Sequence, residues 1–424
     1  MNRIIKHKFS CGLNLTIVKK EGFSKKYAGI GVKFGGGNIE YEKNGIDYKL
    51  KSGIAHFLEH KLFMMEDGTD SFDLFSKLNA QANAYTAIDK TICYFTTNDD
   101  FYQPLKLLLD MYFTPYFDKE DVENEKNIII SELNMNLDDV SYKVRTKSLE
   151  VAYPNDYYSS PIIGSEESVK SINEKDLYEA YYDFYTPQNS ELVIVGDVDE
   201  NYLIDFIDDT LSRLTFSNNV VTKKSMILSD DIAESEYEFI DDRITQDELL
   251  LILRLDNITN RDTISCERVL GVFEALLNLS CPFYKHLDKL NLIPNGIDFQ
   301  VETSPNTTNC ILEATSPNVY KLATLLINKI RNLKIEDLDL KQLDYFVKSI
   351  KAKQIVGEDS ISNFGDKYLS LLLEDIDYNK LNDRLINLNV DDIKYYLSDI
   401  KKAKILSFYV KKNNWIEKRK IIWF

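Results

Sequence analysis

An α+β fold built from two similar halves is predicted by three observations: strand and helix patterns alternate along the chain, a polar stretch interrupts them near the middle, and the order of elements before that stretch recurs after it. With 424 residues, 44% of them hydrophobic, the chain can bury a large core. Length alone suggests roughly two to four domains.

Residues 8–18 and 28–34 pattern as strands, the second running into Gly35-Gly36-Gly37-Asn38. Glycines permit positive φ. Because no Lys-Ser/Thr pair follows and the next segment is polar, this is read as a turn and not as a phosphate loop. Helical patterning covers 52–65, 71–78, 102–113 and 119–137, with a strand at 84–96 between the second and third. The apolar run 192–195, closed by Gly196-Asp197, reads as a buried strand. Past a helix near 202–214 the chain turns polar and rich in Asn, Ser and Lys, which places a linker at 216–231 between a first half, 1–215, and a second, 232–424. In the second half a strand at 248–255, a helix at 266–279, strands at 296–303 and 310–314 and two long helical stretches repeat the earlier order.

Charge and cysteine usage exclude several functions. Asp and Glu number 68 against 51 Lys and Arg, and the net charge of -17 repels a phosphate backbone and an acidic membrane surface, so neither nucleic acid nor membrane is expected as a partner. The opening residues MNRIIKHKFSCGLNLTIVKK never assemble the ~7–15 apolar residues of a signal-peptide core, and no uninterrupted apolar run reaches spanning length. A cytoplasmic location is expected. Cys11, Cys93, Cys266, Cys281 and Cys310 are scattered, odd in number and free of CxxC spacing, which fits reduced thiols and not a disulfide framework or a cysteine-bound metal. His7 and His286 lie in no recognisable cysteine-protease context.

Only four histidines occur, and two of them, His56 and His60, are four residues apart in IAHFLEHKLF. On a helix that spacing returns both rings to nearly the same face after a rise of ~6 Å, so they can converge on one ion. Glu59 falls between them, close enough to face a water on that ion and take its proton. A lone HxxxH pair is usually two surface or satisfied core histidines; the interposed glutamate and the rarity of histidine favour a metal site. A third, acidic ligand is expected from another element. On the helix over 119–137, Val122, Glu125, Ile129 and Glu132 step by three and four, which sets both glutamates in the apolar stripe, where carboxylates seldom lie without a partner. Seven residues raise the chain by ~10 Å, so one glutamate is expected as a ligand and the other as a supporting group.

HFLEH, the segment ENEKNIIISEL farther on, QANAYTAIDKT between them and YTPQNSELVIVGDVD together resemble the insulinase/pitrilysin family of zinc metallopeptidases over most of residues 1–215. Within that family the chain resembles bacterial processing-peptidase-like subunits, and SGIAHFLEHKLF is similar in wording to the paired Gram-positive YmfH-like subunits. The resemblance implies two homologous halves in a clam-like pair, each a mainly antiparallel sheet with helices packed on it. It implies one Zn2+ held by His56, His60 and Glu132, with Glu59 as general base and Glu125 in support. It also implies that the strand carrying Asn83 and Ala84 takes the peptide substrate as an added strand.

The second half departs from the pattern. Where single-chain members carry an Arg and a Tyr that hold the substrate and polarise its carbonyl, this chain reads Leu287-Asp288-Lys289-Leu290-Asn291-Leu292-Ile293-Pro294. Missing oxyanion-type stabilisation typically costs ~100-fold or more in rate. The resemblance therefore implies a zinc endopeptidase subunit that acts on short or unfolded peptides together with a homologous partner lacking HxxEH and supplying Arg and Tyr. Leader removal from a ribosomally made peptide and general degradation of small peptides are its two natural tasks. A non-catalytic scaffold subunit of the same fold is the rival, and a complete ligand set argues against it.

Overall fold

Near-continuous apolar runs along the central strand segments let the two larger sheets bury both faces. The computed structural model describes residues 3–37, 39–154, 157–224, 235–256, 263–303, 308–386 and 390–413. Two compact units result: one comprises Met1–Met135, Ser160–Ser225 and Ile355–Tyr378, the other Asn136–Ser159, Met226–Gln354 and Asn379–Phe424.

The first unit holds strands β1 (Arg3–Lys8), β2 (Asn14–Lys19), β3 (Lys26–Val32), β4 (Glu40–Lys43), β5 (Ile46–Lys49), β6 (Ala80–Thr86), β7 (Thr91–Thr97), β8 (Ser190–Gly196) and β9 (Thr222–Lys223). Six of them form a sheet in the order β1-β2-β8-β3-β7-β6, leaving β6 at an edge, and β5-β4-β9 form a small second sheet. Two of the expected single strands are hairpins. The 8–18 stretch breaks at Gly12, whose φ of 100° turns the chain between β1 and β2. The 84–96 stretch folds back through residues 87–90, with Ala87 N–H donating to the Lys90 carbonyl at 2.8 Å. Neither Gly nor Pro marks that second turn, so strand patterning runs through it. Of the expected linker, Thr222 and Lys223 pair with β4 inside the first unit, and residues 225–231 lie outside the described residues. Asn38 of the glycine-rich turn also lies outside them.

The second unit carries β10 (Glu236–Asp241), β11 (Glu248–Arg254), β12 (Asp298–Thr303), β13 (Thr308–Thr315) and β14 (Lys404–Lys412) in the order β10-β14-β11-β13-β12. Its pairing repeats the first sheet. In both, the entering strand lies parallel to the last one (β2 with β8, β10 with β14), and the last is antiparallel to the strand that pairs with the hairpin (β6–β7, β12–β13). The repeat expected from element order is thus present in topology, and each sheet is mainly antiparallel.

Helices α1 (Ile54–Leu62), α2 (Ser71–Lys77) and α3 (Tyr102–Phe113) pack on the face of the first sheet formed by Leu15, Ile17, Ala28, Ile30, Phe95, Leu192 and Ile194. They are followed by α4 (Lys119–Asp138) and α5 (Val140–Ala152). The opposite face of the sheet is covered by the helix Ile361–Leu373, which comes from the second half of the sequence. Close approach is possible because Gly31 and Gly365 lack side chains: a Cβ at Gly365 would lie 2.4 Å from the Tyr27 ring, and one at Gly31 would lie 2.7 Å from Leu373. Reciprocally, α5 belongs to the second unit, where Val144 and Ala152 pack against Leu250, Ile252, Leu406 and Phe408. The units are therefore discontinuous in sequence, because nonlocal burial of one helix face outweighs chain proximity. After β13 the described chain has five helices, Val319–Arg331, Leu340–Gly357, Ile361–Leu373, Tyr378–Ile386 and Val390–Lys402, where two long helical stretches were expected. No described helix is both long and apolar enough to cross a membrane.

Candidate metal centre

Helix α1 begins at Gly53, whose φ of 87° and close approach to the Ile163 carbonyl (2.5 Å from an added Cβ) leave no room for another residue. Ile54, Ala55, Phe57, Leu58 and Leu62 are buried and fix the helix, which turns His56, Glu59 and His60 toward α4 and β6. The two imidazole centroids are 4.6 Å apart, as four-residue spacing requires. Opposite them, Val122, Ile129 and Leu133 anchor α4 in the core, with Glu125 and Glu132 half-buried in the same stripe.

His56 Nε2 lies 3.7 Å from Glu132 Oε1, and His60 Nε2 lies 3.5 Å from Glu132 Oε2. One ligand atom from each of His56, His60 and Glu132 falls within 4.8 Å of the others, the only such group among the described residues. Bonds of about 2.1 Å around a tetrahedral zinc give ligand–ligand edges of about 3.4 Å, so this donor set fits a zinc-sized ion with a fourth position open. Glu125 does something different: its Oε1 accepts from His60 Nδ1 at 2.9 Å, which leaves Nε2 to face the cluster. The two glutamates that the helix stripe alone could not separate are thereby placed apart.

Burial and a neighbouring ring hold His56 neutral, with a pKa lowered to about 4, and its Nδ1 is buried with no hydrogen-bond partner among the described residues. At His60 burial opposes the charge, yet the Glu125 hydrogen bond and the surrounding carboxylates outweigh it and raise the pKa. Burial pushes the Glu59 carboxyl above its ordinary value, against the pull of hydrogen bonds from Thr86. Thr86 Oγ1 donates to Glu59 Oε2 at 2.8 Å. Nothing in local sequence pattern singled out Thr86, since its contact spans a helix and a strand.

Asn83 and Ala84 lie on β6, the open edge of the sheet, three and two residues before Thr86. Asn83 is exposed, and its Oδ1 accepts from the Ala84 N–H at 2.9 Å. In the second unit Leu287, Leu292 and Ile293 are buried, while Asp288 and Pro294 are exposed. None of the five cysteines forms a disulfide, and none joins the cluster.

Residues 17–166 match the sequence model of Insulinase (Peptidase family M16), and residues 171–349 match that of the Peptidase M16 inactive domain. The chain belongs to the insulinase family of peptidases. This insulinase-family chain is 27% identical over 361 residues to the uncharacterized zinc protease YmfH of Bacillus subtilis (strain 168), across 82% of this chain and 84% of that protein. It is 28% identical over 199 residues to the mitochondrial-processing peptidase subunit beta of Homo sapiens, across 45% of this chain and 38% of that one. Among solved structures, a putative M16-like peptidase from Alicyclobacillus acidocaldarius superposes with a TM-score of 0.85 at 21% identity, covering 97% of this chain and 99% of that one. A protease from Helicobacter pylori gives 0.80 at 17%, covering 97% and 100%. These two show the shared fold, and the YmfH-like resemblance read from SGIAHFLEHKLF is borne out.

Proposed function

We propose that this chain is the zinc-bearing subunit of a two-subunit endopeptidase that cleaves short or unfolded peptides. The observation that carries it is the convergence of His56 Nε2, His60 Nε2 and the Glu132 carboxylate beside a half-buried Glu59. Zinc held by those three groups would lower the pKa of a water and polarise the substrate carbonyl. Glu59 then accepts the proton of the attacking water and returns it to the leaving amine, a task suited to a carboxyl whose pKa is raised by burial. Glu125 keeps the His60 ring in the orientation that presents Nε2. An extended peptide pairs along β6, with Ala84 offering backbone groups and Asn83 moving its amide aside.

The partner is a homologous subunit without HxxEH that supplies the Arg and Tyr wanting at 287–294. Leader removal from a ribosomally made peptide is the task this pairing suits, and cleavage at one position would separate it from general degradation at many. Reduced thiols and acidic charge support a cytoplasmic setting. The test compares wild type with Glu59→Gln, each zinc-loaded and mixed with such a subunit, on an unstructured peptide. Glu59→Gln is expected to keep its zinc and lose about 100-fold or more in rate. Equal cleavage by both would contradict the proposal.

A further inference from the structure

The glycine-rich turn and Thr86 have no part in the family reading of the ligands, and the geometry joins them. Because Ala87 N–H bonds the Lys90 carbonyl, the antiparallel alternation directs Tyr85 and Asn83 toward β7, while Ala84 and Thr86 direct their backbone groups to the open edge. The Thr86 hydroxyl donates to the Glu59 carboxylate at 2.8 Å. No other residue among those described donates a hydrogen bond to that carboxylate.

Thr86 is itself held from three directions. The N–H groups of Gly36 and Gly37 donate to the carbonyls of Ala87 (2.9 Å) and Ile88 (2.8 Å) in the turn that follows it. An added Cβ at Gly35 would lie 2.3 Å from the Ala87 oxygen, so the strap needs a glycine for close approach, and none of the three uses the positive φ that glycine permits. Across the hairpin, Thr91 Oγ1 donates to the Phe34 carbonyl at 2.9 Å. On the other face, Tyr85 OH donates to Asp366 Oδ1 at 3.0 Å, and Lys90 pairs with Glu374.

We infer that Thr86 is a positioning residue that fixes the Glu59 carboxylate through its hydroxyl, with the Gly35-Gly36-Gly37 strap holding Thr86 in place. This rests on Glu59 being the base of the proposed peptidase. It also ties the base to the strand that the peptide would pair with, so substrate docking and base orientation share one rigid edge.

Crystal structures of the full-length wild type, Thr86→Val and Thr86→Ser decide the matter, together with their hydrolysis of an unstructured peptide in the presence of the homologous subunit. Thr86→Val keeps the shape and removes the hydroxyl; Thr86→Ser keeps the hydroxyl. In the wild type and Thr86→Ser the Glu59 carboxylate is expected in one conformer against the hydroxyl, and in Thr86→Val displaced or divided among conformers. Thr86→Val should lower kcat about 10- to 100-fold with KM nearly unchanged and zinc content intact, and Thr86→Ser should recover most of the rate. An unmoved Glu59 in Thr86→Val would overturn the inference. An inactive wild type would count instead against the peptidase reading, while the Glu59 conformers would still decide the role of Thr86.

Discussion

At His60 the two ring nitrogens face different carboxylates, Nδ1 toward Glu125 and Nε2 toward Glu132, and this asymmetry has a measurable consequence. His56, with its pKa down at about 4, is already neutral at pH 6, whereas His60 is raised and still carries a proton there. A metal must displace that proton, so zinc affinity should weaken as pH falls through the His60 pKa with the slope of one proton. Calorimetric titration with zinc near pH 6, in buffers of different ionisation enthalpy, should show release of about one proton; release of two would mean that His56 is also charged. Glu132→Gln should weaken zinc binding more than Glu125→Gln, for which a supporting contact gives about a 10- to 100-fold loss. The reverse order of affinities would exchange their roles. His56, Glu59 and His60 were legible because helical spacing is a local rule. The difference between Glu125 and Glu132 was not, because both satisfy the same stripe and only the position of His60 on another helix separates them.

Between elements, burial of the second face of the first sheet depends on the helix Ile361–Leu373. Gly365 lies against Tyr27, whose ring is fully buried. In a solvated helix Gly→Ala stabilises by about 1 kcal/mol, but here the methyl meets the ring at 2.4 Å, so Gly365→Ala is expected to destabilise by about 1–3 kcal/mol. Urea denaturation of the full chain reads the sign directly, and a stabilised variant would show that the helix does not pack this tightly. The segments that form the elements were largely readable from periodicity, including 28–34, 102–113 and 248–255. The partners were less so: the hairpin turn Ala87-Ile88-Asp89-Lys90 has no turn-forming Gly or Pro, and docking of residues 361–373 on strands near the start of the chain is a nonlocal contact that a local pattern does not encode.

For the molecule as a whole, the exposed Asp288 and Pro294 stand where the family resemblance puts an Arg and a Tyr. The pure chain should therefore turn over unstructured peptides negligibly, and a homologous subunit carrying that pair should form a 1:1 complex and activate it strongly. Light scattering after size exclusion reads the complex. Removing the partner's Arg or Tyr should leave it assembled and nearly inactive, while a contaminant-free, zinc-loaded chain as fast alone as in the mixture would end the divided-site proposal. Everything in that scheme depends on the metal. Zinc content per chain, measured by mass spectrometry on the wild type and on the His56→Ala/His60→Ala double variant, both checked for folding by circular dichroism, tests it most directly. About one zinc in the wild type and none in a folded double variant is the predicted result; equal zinc in the two would contradict it.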